Sequence, residues 1–399
     1  GKSGILPADV ADQYEGEGRF IRALSHHELL IHFCKPYADN KGSGMGVPYR
    51  EKAVNSPAAV EEGAAMGRGT VAEAYTKILA DLDWAEQKLP VNNSKGAARV
   101  RKGAAIALKT RIKLHMQDWA GVITEGAKLG TDATSGTFSS PISGFILEAD
   151  PEAPFKNYSS SKESIFSIAN SASSNGGVNG ALPAMLSAAS TAASPNAGRG
   201  LVAISPNFYN ASFWVTGDKR RNLLVQQATD PKLWFTNKYW DYVNRANWAP
   251  IIRYAEVLLN VAEAKARVGG TANLASAFQL LNAVRNRSVP AADKYTTEPS
   301  DLVLAILNER RIEFCAEGRR WPDIHRLVLD PVYKTNGIPA KILSAQLKAD
   351  GSDYNLVTRP MLTPSKAAIP YTDYRFLWPI SSREVSANPV LRDQQNPGY

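Results

Sequence analysis

Apolar positions spaced three and four apart dominate the first third of the chain and predict helices joined by short polar turns. The clearest stripe runs through Val71, Tyr75, Ile78, Leu82, Ala85 and Leu89. Asp81, Asp83 and Glu86 fall off that line, and Pro90 ends it. Thr70 and Glu73 stand three apart ahead of the run, the spacing at which each side chain satisfies a backbone N–H that a helix start leaves unpaired. From Lys102 to Met116, Gly103, Ala104, Ala105 and Ala107 sit beside Leu108 and Ile112, small residues that let a neighbouring helix approach closely. A break at Gln117-Asp118 precedes a second helical pattern from Trp119 to Gly130, and the two predict a helix hairpin.

A second hairpin is expected late in the chain. Arg253, Glu256, Asn260, Glu263 and Arg267 form one polar stripe, with Val257, Val261, Ala264 and Val268 an apolar one. Gly269-Gly270 ends the helix, and Leu274, Phe278, Leu281 and Val284 mark its return partner. Two helices and a turn of this size match a tetratricopeptide unit, and stacked units bury a continuous core. Between about Thr131 and Asn247 the texture changes to Ser, Gly, Asn and Ala, with little periodicity over Ser159 to Gly200 and an aromatic-rich stretch from Ser205 to Trp248. The tail after Leu329 is rich in proline and has no helix of length. The fold expected is mostly α: degenerate tetratricopeptide-like helical hairpins with a loop-rich, largely irregular layer packed against them.

Composition narrows the function. The 399 residues, 44% of them hydrophobic, suffice for a sizeable core. The two cysteines, Cys34 and Cys315, lie in apolar helix-patterned stretches and read as free, buried, inert thiols. The net charge of +8 comes from 46 basic and 38 acidic residues mixed along the chain, so solvated or ion-paired surface is expected rather than a nucleic-acid footprint. No apolar run is long enough to span a bilayer. The start, Gly1-Lys2-Ser3-Gly4-Ile5-Leu6-Pro7, shows neither a signal-peptide pattern nor an early cysteine to take a lipid.

An ordered set of segments identifies a resemblance. It includes Glu17-Gly18-Arg19-Phe20-Ile21-Arg22-Ala23-Leu24, Asp81-Leu82-Asp83-Trp84-Ala85, Lys102-Gly103-Ala104-Ala105 leading to Asp118-Trp119, and Arg253-Tyr254-Ala255-Glu256. Further on come Asn282-Ala283-Val284-Arg285, Glu309-Arg310-Arg311-Ile312-Glu313-Phe314, Glu317-Gly318-Arg319-Arg320-Trp321, and Phe376-Leu377-Trp378-Pro379 with the closing Asn396-Pro397-Gly398-Tyr399. Together they resemble the SusD/RagB family over nearly the whole chain. Members carry a lipidated cysteine and a longer segment ahead of the match to Phe20-Ile21-Arg22-Ala23, so the chain reads as a fragment or a short member. The resemblance implies one SusD-like domain over 1–399, with helical hairpins at 1–130, a loop-rich aromatic insert at 131–250, tetratricopeptide-like helices at 251–328 and an irregular segment at 329–399. It also implies non-catalytic glycan capture at the cell outer membrane and delivery to a TonB-dependent, SusC-like transporter.

Several residue patterns bear on chemistry. His27 and His32 stand five apart, not the four that puts two zinc ligands on one helix face, so no metal site is expected, and no cofactor fingerprint occurs. Arg311 falls on the stripe of Leu304, Leu307 and Phe314 and is expected to be buried against a carboxylate. Glu309, Glu313 and Glu317 form a like-charged row, for which Arg253, Arg285, Arg319 and Arg320 are the expected partners. Such an arginine excess holds carboxylates ionised and argues against the protonatable acid of a glycoside hydrolase. Sugar binding needs aromatic faces beside hydrogen-bonding groups. Trp214, Trp234, Tyr242, Asn247 and Trp248 are the candidates, with Tyr37 and Asp39 as a second group. Tyr239 and Trp240 are expected to be structural, and Trp119, Trp321 and Trp378 to lie in the core. The remaining alternative is a peptide-binding tetratricopeptide-like module, which requires an open concave helix face.

Overall fold

The computed structural model describes residues 4–133, 137–189 and 198–399. The start at Gly1-Lys2-Ser3 and part of the aperiodic 159–200 stretch therefore lie outside the described residues. Among those described, nine helices have eight residues or more: Ala8–Phe33 (α1), Pro57–Ala64 (α2), Val71–Lys88 (α3), Lys102–His115 (α4), Trp119–Ala127 (α5), Tyr254–Val268 (α6), Thr271–Asn286 (α7), Leu302–Glu313 (α8) and Arg320–Leu327 (α9). Six short strands pair only two by two. Ser164–Ile168 (β1) runs antiparallel to Ala249–Arg253 (β4), Leu224–Gln226 (β2) to Trp234–Thr236 (β3), and Gly337–Ile338 (β5) to Ile369–Pro370 (β6). The fold is the mostly helical one expected.

Helix α3 opens with the capping box at Thr70 and Glu73, both halves formed, and its stripe of Val71, Tyr75, Ile78, Leu82 and Ala85 is buried. Asp81, off that stripe, is buried as well. It accepts from Arg22 of α1 and from the hydroxyl of Tyr49 in the segment that follows α1. Helices α4 and α5 form the first hairpin and α6 and α7 the second, and α5 lies against α6. The contact is close: a Cβ on Gly126 would come within 2.2 Å of Val261 Cγ2, so no larger residue fits there without moving the helices apart.

Helix α6 departs from the simple two-stripe picture because its polar stripe is buried too. Glu256 accepts two hydrogen bonds from Arg111 of α4 at 2.6 and 2.7 Å. Asn260 accepts from Arg310 at 2.6 Å, and Glu263 takes Arg326 of α9 at 2.7 and 2.8 Å. Helix α6 is thus the central post, apolar towards α5 and α7 and ionic towards α8 and α9.

A second ionic layer joins the helices to the insert. Glu313 accepts from Arg253 at 2.9 Å and Arg287 at 2.8 Å, while Glu317 accepts from Arg253 at 2.7 Å and Lys238 at 2.6 Å. Glu163 on the approach to β1 takes Arg287 at 2.6 Å and also Arg253. Asp218 pairs Arg220 at 2.6 Å, and that arginine reaches Glu309 and Glu313. Burial alone would raise the Glu313 carboxyl, but Arg287, Arg253 and Arg220 outweigh it and hold it well below its ordinary range.

The expected ion-paired network is therefore present, with corrected membership. Arg253 and Arg285 belong to it. Arg319 donates to the Glu317 backbone carbonyl at 3.4 Å and meets one carboxylate, Glu28, at 3.7 Å, and Arg320 has no ion pair among the described residues. Arg311 is also corrected: it is half-buried with no carboxylate partner, its guanidinium lying over Phe208 and Phe213 at 5.4 and 5.0 Å.

Candidate functional site

The insert is built on the β2–β3 hairpin and on β4, whose pairing with β1 fixes both ends of the loop that carries most of the aromatic residues. Residues 237–248 form a self-bonded loop. The Asp241 carboxylate accepts from the backbone N–H of Asn244 and Ala246, and the Asn247 side-chain oxygen accepts from the N–H of Asp241 at 2.7 Å. Arg245 adopts φ of 56°, which lets the chain close the turn. Two further amides brace it, as Asn170 donates to the carbonyl of Asn247 and Asn175 to that of Asn244.

Two rings of this loop, Trp240 and Trp248, flank its turn in sequence, and both neighbour Tyr158 of the 157–160 segment. Trp240 is 43% exposed, and its ring nitrogen donates to the Phe155 carbonyl at 3.2 Å. Tyr158 lies 6.2 Å from it, and Trp248 lies 6.5 Å from Tyr158; both Trp rings are tilted about 50° to the tyrosine. Tyr158 and Trp248 are half-buried, so each keeps part of its surface open to solvent. Exposed Asn157, Ser159 and Asn244 flank the row. Flat apolar faces beside amide and hydroxyl groups suit the C–H face and the hydroxyls of a pyranose.

The sequence-derived candidates divide. Trp248 belongs to the row. Tyr242 is half-buried next to it, with its hydroxyl donating to Asn237 at 2.6 Å. Trp234 is half-buried, and one face stacks on Tyr209 with centroids 5.3 Å apart. Trp214, expected at a surface, is only 1% exposed; it packs under Arg221, whose guanidinium sits 4.2 Å from its ring, and beside Phe208. Asn247, at 1% exposure, is the buried brace of the loop and not a contact residue.

Tyr37 packs edge-on to Tyr75. Asp39 accepts from the Tyr371 hydroxyl at 2.6 Å and pairs with Lys35 at 3.2 Å. None of these contacts reaches the 234–248 segment, so the second group is separate in its bonding from the ring row. Trp240 reverses the structural role expected of it, because its polar edge is tied down and its face is left outside. Trp378, placed in the core by the sequence, is 53% exposed, and Trp119 and Trp321 are half-buried. Tyr158 was missed. Its signal is a lone aromatic in the polar run Lys156-Asn157-Tyr158-Ser159-Ser160, with no periodic apolar partner to bury it.

The two histidines weighed as metal ligands face different neighbours. His27 meets His115 and Tyr75, whereas His32 meets Trp378 and Trp321. Among the described residues no three His, Cys, Asp or Glu side chains are placed to hold a metal ion. Both thiols are free and burial pushes each up to about 11, but only Cys34 is buried as expected; Cys315 is half-buried.

Comparison with known proteins follows the same lines. A model of the SusD family matches residues 225–399, and one described as starch-binding associating with outer membrane matches residues 7–114. A SusD superfamily protein from Bacteroides fragilis is similar at 26% identity and a TM-score of 0.70, over 95% of this chain and 76% of its own. A putative sugar binding protein from Bacteroides vulgatus is similar at 23% identity and 0.73, over 98% and 78%. Surface glycan-binding protein A from Bacteroides uniformis is similar at 20% identity and 0.69, over 99% and 80%. No curated protein sequence is detectably similar to the chain.

Proposed function

The chain belongs to the SusD/RagB family, and from that premise we infer that it captures a glycan at the bacterial outer membrane without cleaving it and delivers it to a TonB-dependent transporter. The observation that carries this reading is the row Trp240, Tyr158 and Trp248: two rings on a loop whose own polar groups are already bonded, with the partly exposed Tyr158 beside both. A preformed surface of this kind binds sugar without first ordering itself, which keeps the entropic cost of binding low. The names of the B. vulgatus and B. uniformis relatives, a sugar binding and a surface glycan-binding protein, support the same ligand class. No helix among the described residues is long and apolar enough to cross a membrane.

Two alternatives are weaker on particular observations. A hydrolase built on Glu309, Glu313 and Glu317 would need a protonatable acid there, yet all three are ion-paired to arginine or lysine. A peptide-binding module would need an open helix face, whereas α6 is buried along its length from Tyr254 to Lys265.

Affinity electrophoresis through gels containing plant, host and microbial polysaccharides tests the reading. At least one polysaccharide should retard the chain, Trp248→Ala should abolish the retardation, and prolonged incubation should release no new reducing ends. Unretarded migration in every gel contradicts it.

A further inference from the structure

Outside the ring row, one cleft of about 440 Å³ opens between the α8–α9 turn and the 202–208 segment. Its apolar floor is Phe208, Phe314 and Trp321, and its walls carry Arg311, Arg319 and Arg320. The turn passes through two left-handed residues, Ala316 at φ 62° and Gly318 at φ 74°.

Arg311 has no ion pair or hydrogen bond among the described residues and rests on two phenylalanine faces. Arg320 likewise has no ion pair there. Arg319 has a single distant carboxylate, Glu28 at 3.7 Å, and one terminal nitrogen that is buried without a hydrogen-bond partner. The one acid lining the cleft, Asp323, is already shared by Arg310 and Arg326. The residues outside description, 1–3, 134–136 and 190–197, contain no Asp or Glu that could neutralise the cleft.

A second cleft of similar size, about 400 Å³, shows the ordinary case. Its Glu51 pairs Lys77 and its Lys52 pairs Glu62. Unpaired guanidinium groups over an apolar floor are costly unless something completes them. Burial pushes Arg311 down to about 10, with the charge of Arg320 adding to it, and burial likewise lowers Arg319, whereas Arg320 is exposed. An incoming anion would offset the desolvation of Arg311 and Arg319 and meet the exposed charge of Arg320.

We propose that this cleft binds an acidic sugar unit of the captured glycan, its carboxylate or sulfate held by Arg311, Arg319 and Arg320 and its ring carbons resting on Phe208 and Trp321. The planar guanidinium fork matches both anions in bidentate fashion. The volume falls within the ordinary range for small-ligand sites, about 300–1,000 Å³. The proposal rests on the glycan-capture reading and adds the charge class of the ligand to it.

Isothermal titration separates the two. One arm uses uronate oligosaccharides with their carboxyl-reduced counterparts, and the other uses sulfated galactan oligosaccharides with their desulfated counterparts. Saturable binding of an acidic form is expected in one arm, at least tenfold weaker for its neutral counterpart and weakening as salt rises. Arg311→Gln and Arg320→Gln should each reproduce that loss while their circular dichroism and melting temperature match the parent, because neither residue has an ion-pair partner to lose. Binding of neutral and acidic forms alike, unaffected by the arginine variants, overturns the acidic-sugar proposal and leaves glycan capture standing. No binding of any acidic form also overturns it, whatever the neutral polysaccharides do.

Discussion

Trp214 and Trp240 stand in the same aromatic-rich stretch, and their fates are opposite. Arg221 caps the first and Phe208 flanks it, so its whole indole is enclosed, while the second spends its only polar atom on a backbone carbonyl and leaves its face outside. Truncating Trp214 to alanine therefore removes a buried ring and should cost about 3–5 kcal/mol of stability in urea unfolding. A cost under about 1 kcal/mol would contradict its placement in the core. Sequence reasoning could find the stretch but not sort its members, because burial inside a loop layer depends on partners far along the chain, such as Phe155 for Trp240. Arg311 shows the same limit: helical spacing placed it on an apolar face correctly, but the partner there is aromatic and not a carboxylate.

At the scale of elements, helices with a strong stripe were legible. Val71 to Leu89, Lys102 to Met116 and the pair around Gly269-Gly270 all appear where the periodicity put them, since packing one face of each helix is what makes the stripe. Strand β1 was not legible; five residues, Ser164-Ile165-Phe166-Ser167-Ile168, in a serine-rich stretch give too short a pattern, and only pairing with β4 defines it. That pairing ends at Arg253, which links Glu163, Glu313 and Glu317. Arg253→Met leaves three buried carboxylates short of a partner and should destabilise the chain by about 3–5 kcal/mol. A loss below about 1 kcal/mol, read from urea midpoints, would show that the ionic layer does not hold the insert to the helices.

The whole molecule carries a pH dependence set by its histidines. His27, His115 and His325 are buried around the α1–α4–α9 junction. Burial holds the first two well below their ordinary value, aided by Arg111 at His27 and by His27 at His115, and lowers His325 to about 4. In the folded chain these rings stay neutral, whereas the unfolded chain takes up protons near pH ~6.5. The unfolded state thus binds more protons, so stability is complete above that pH and is lost as pH falls from about 6.5 towards 4. Each ring contributes at most about 1.4 kcal/mol per pH unit. Below about pH 4.5 the lowered carboxylates of Glu256, Glu263 and Asp323 add to the loss. Urea midpoints measured at about pH 7 and about pH 5 should fall accordingly, and a flat response would contradict the neutral buried cluster.

The central claim is that the exposed ring row takes up a glycan. Isothermal titration of the parent chain, Trp240→Ala and Trp248→Ala against an oligosaccharide prepared from a polysaccharide that retards the chain tests it most directly. The parent should bind saturably, and each variant should bind at least tenfold more weakly, about 1.4 kcal/mol, with an unchanged melting temperature. Equal affinity in parent and both variants would contradict the claim.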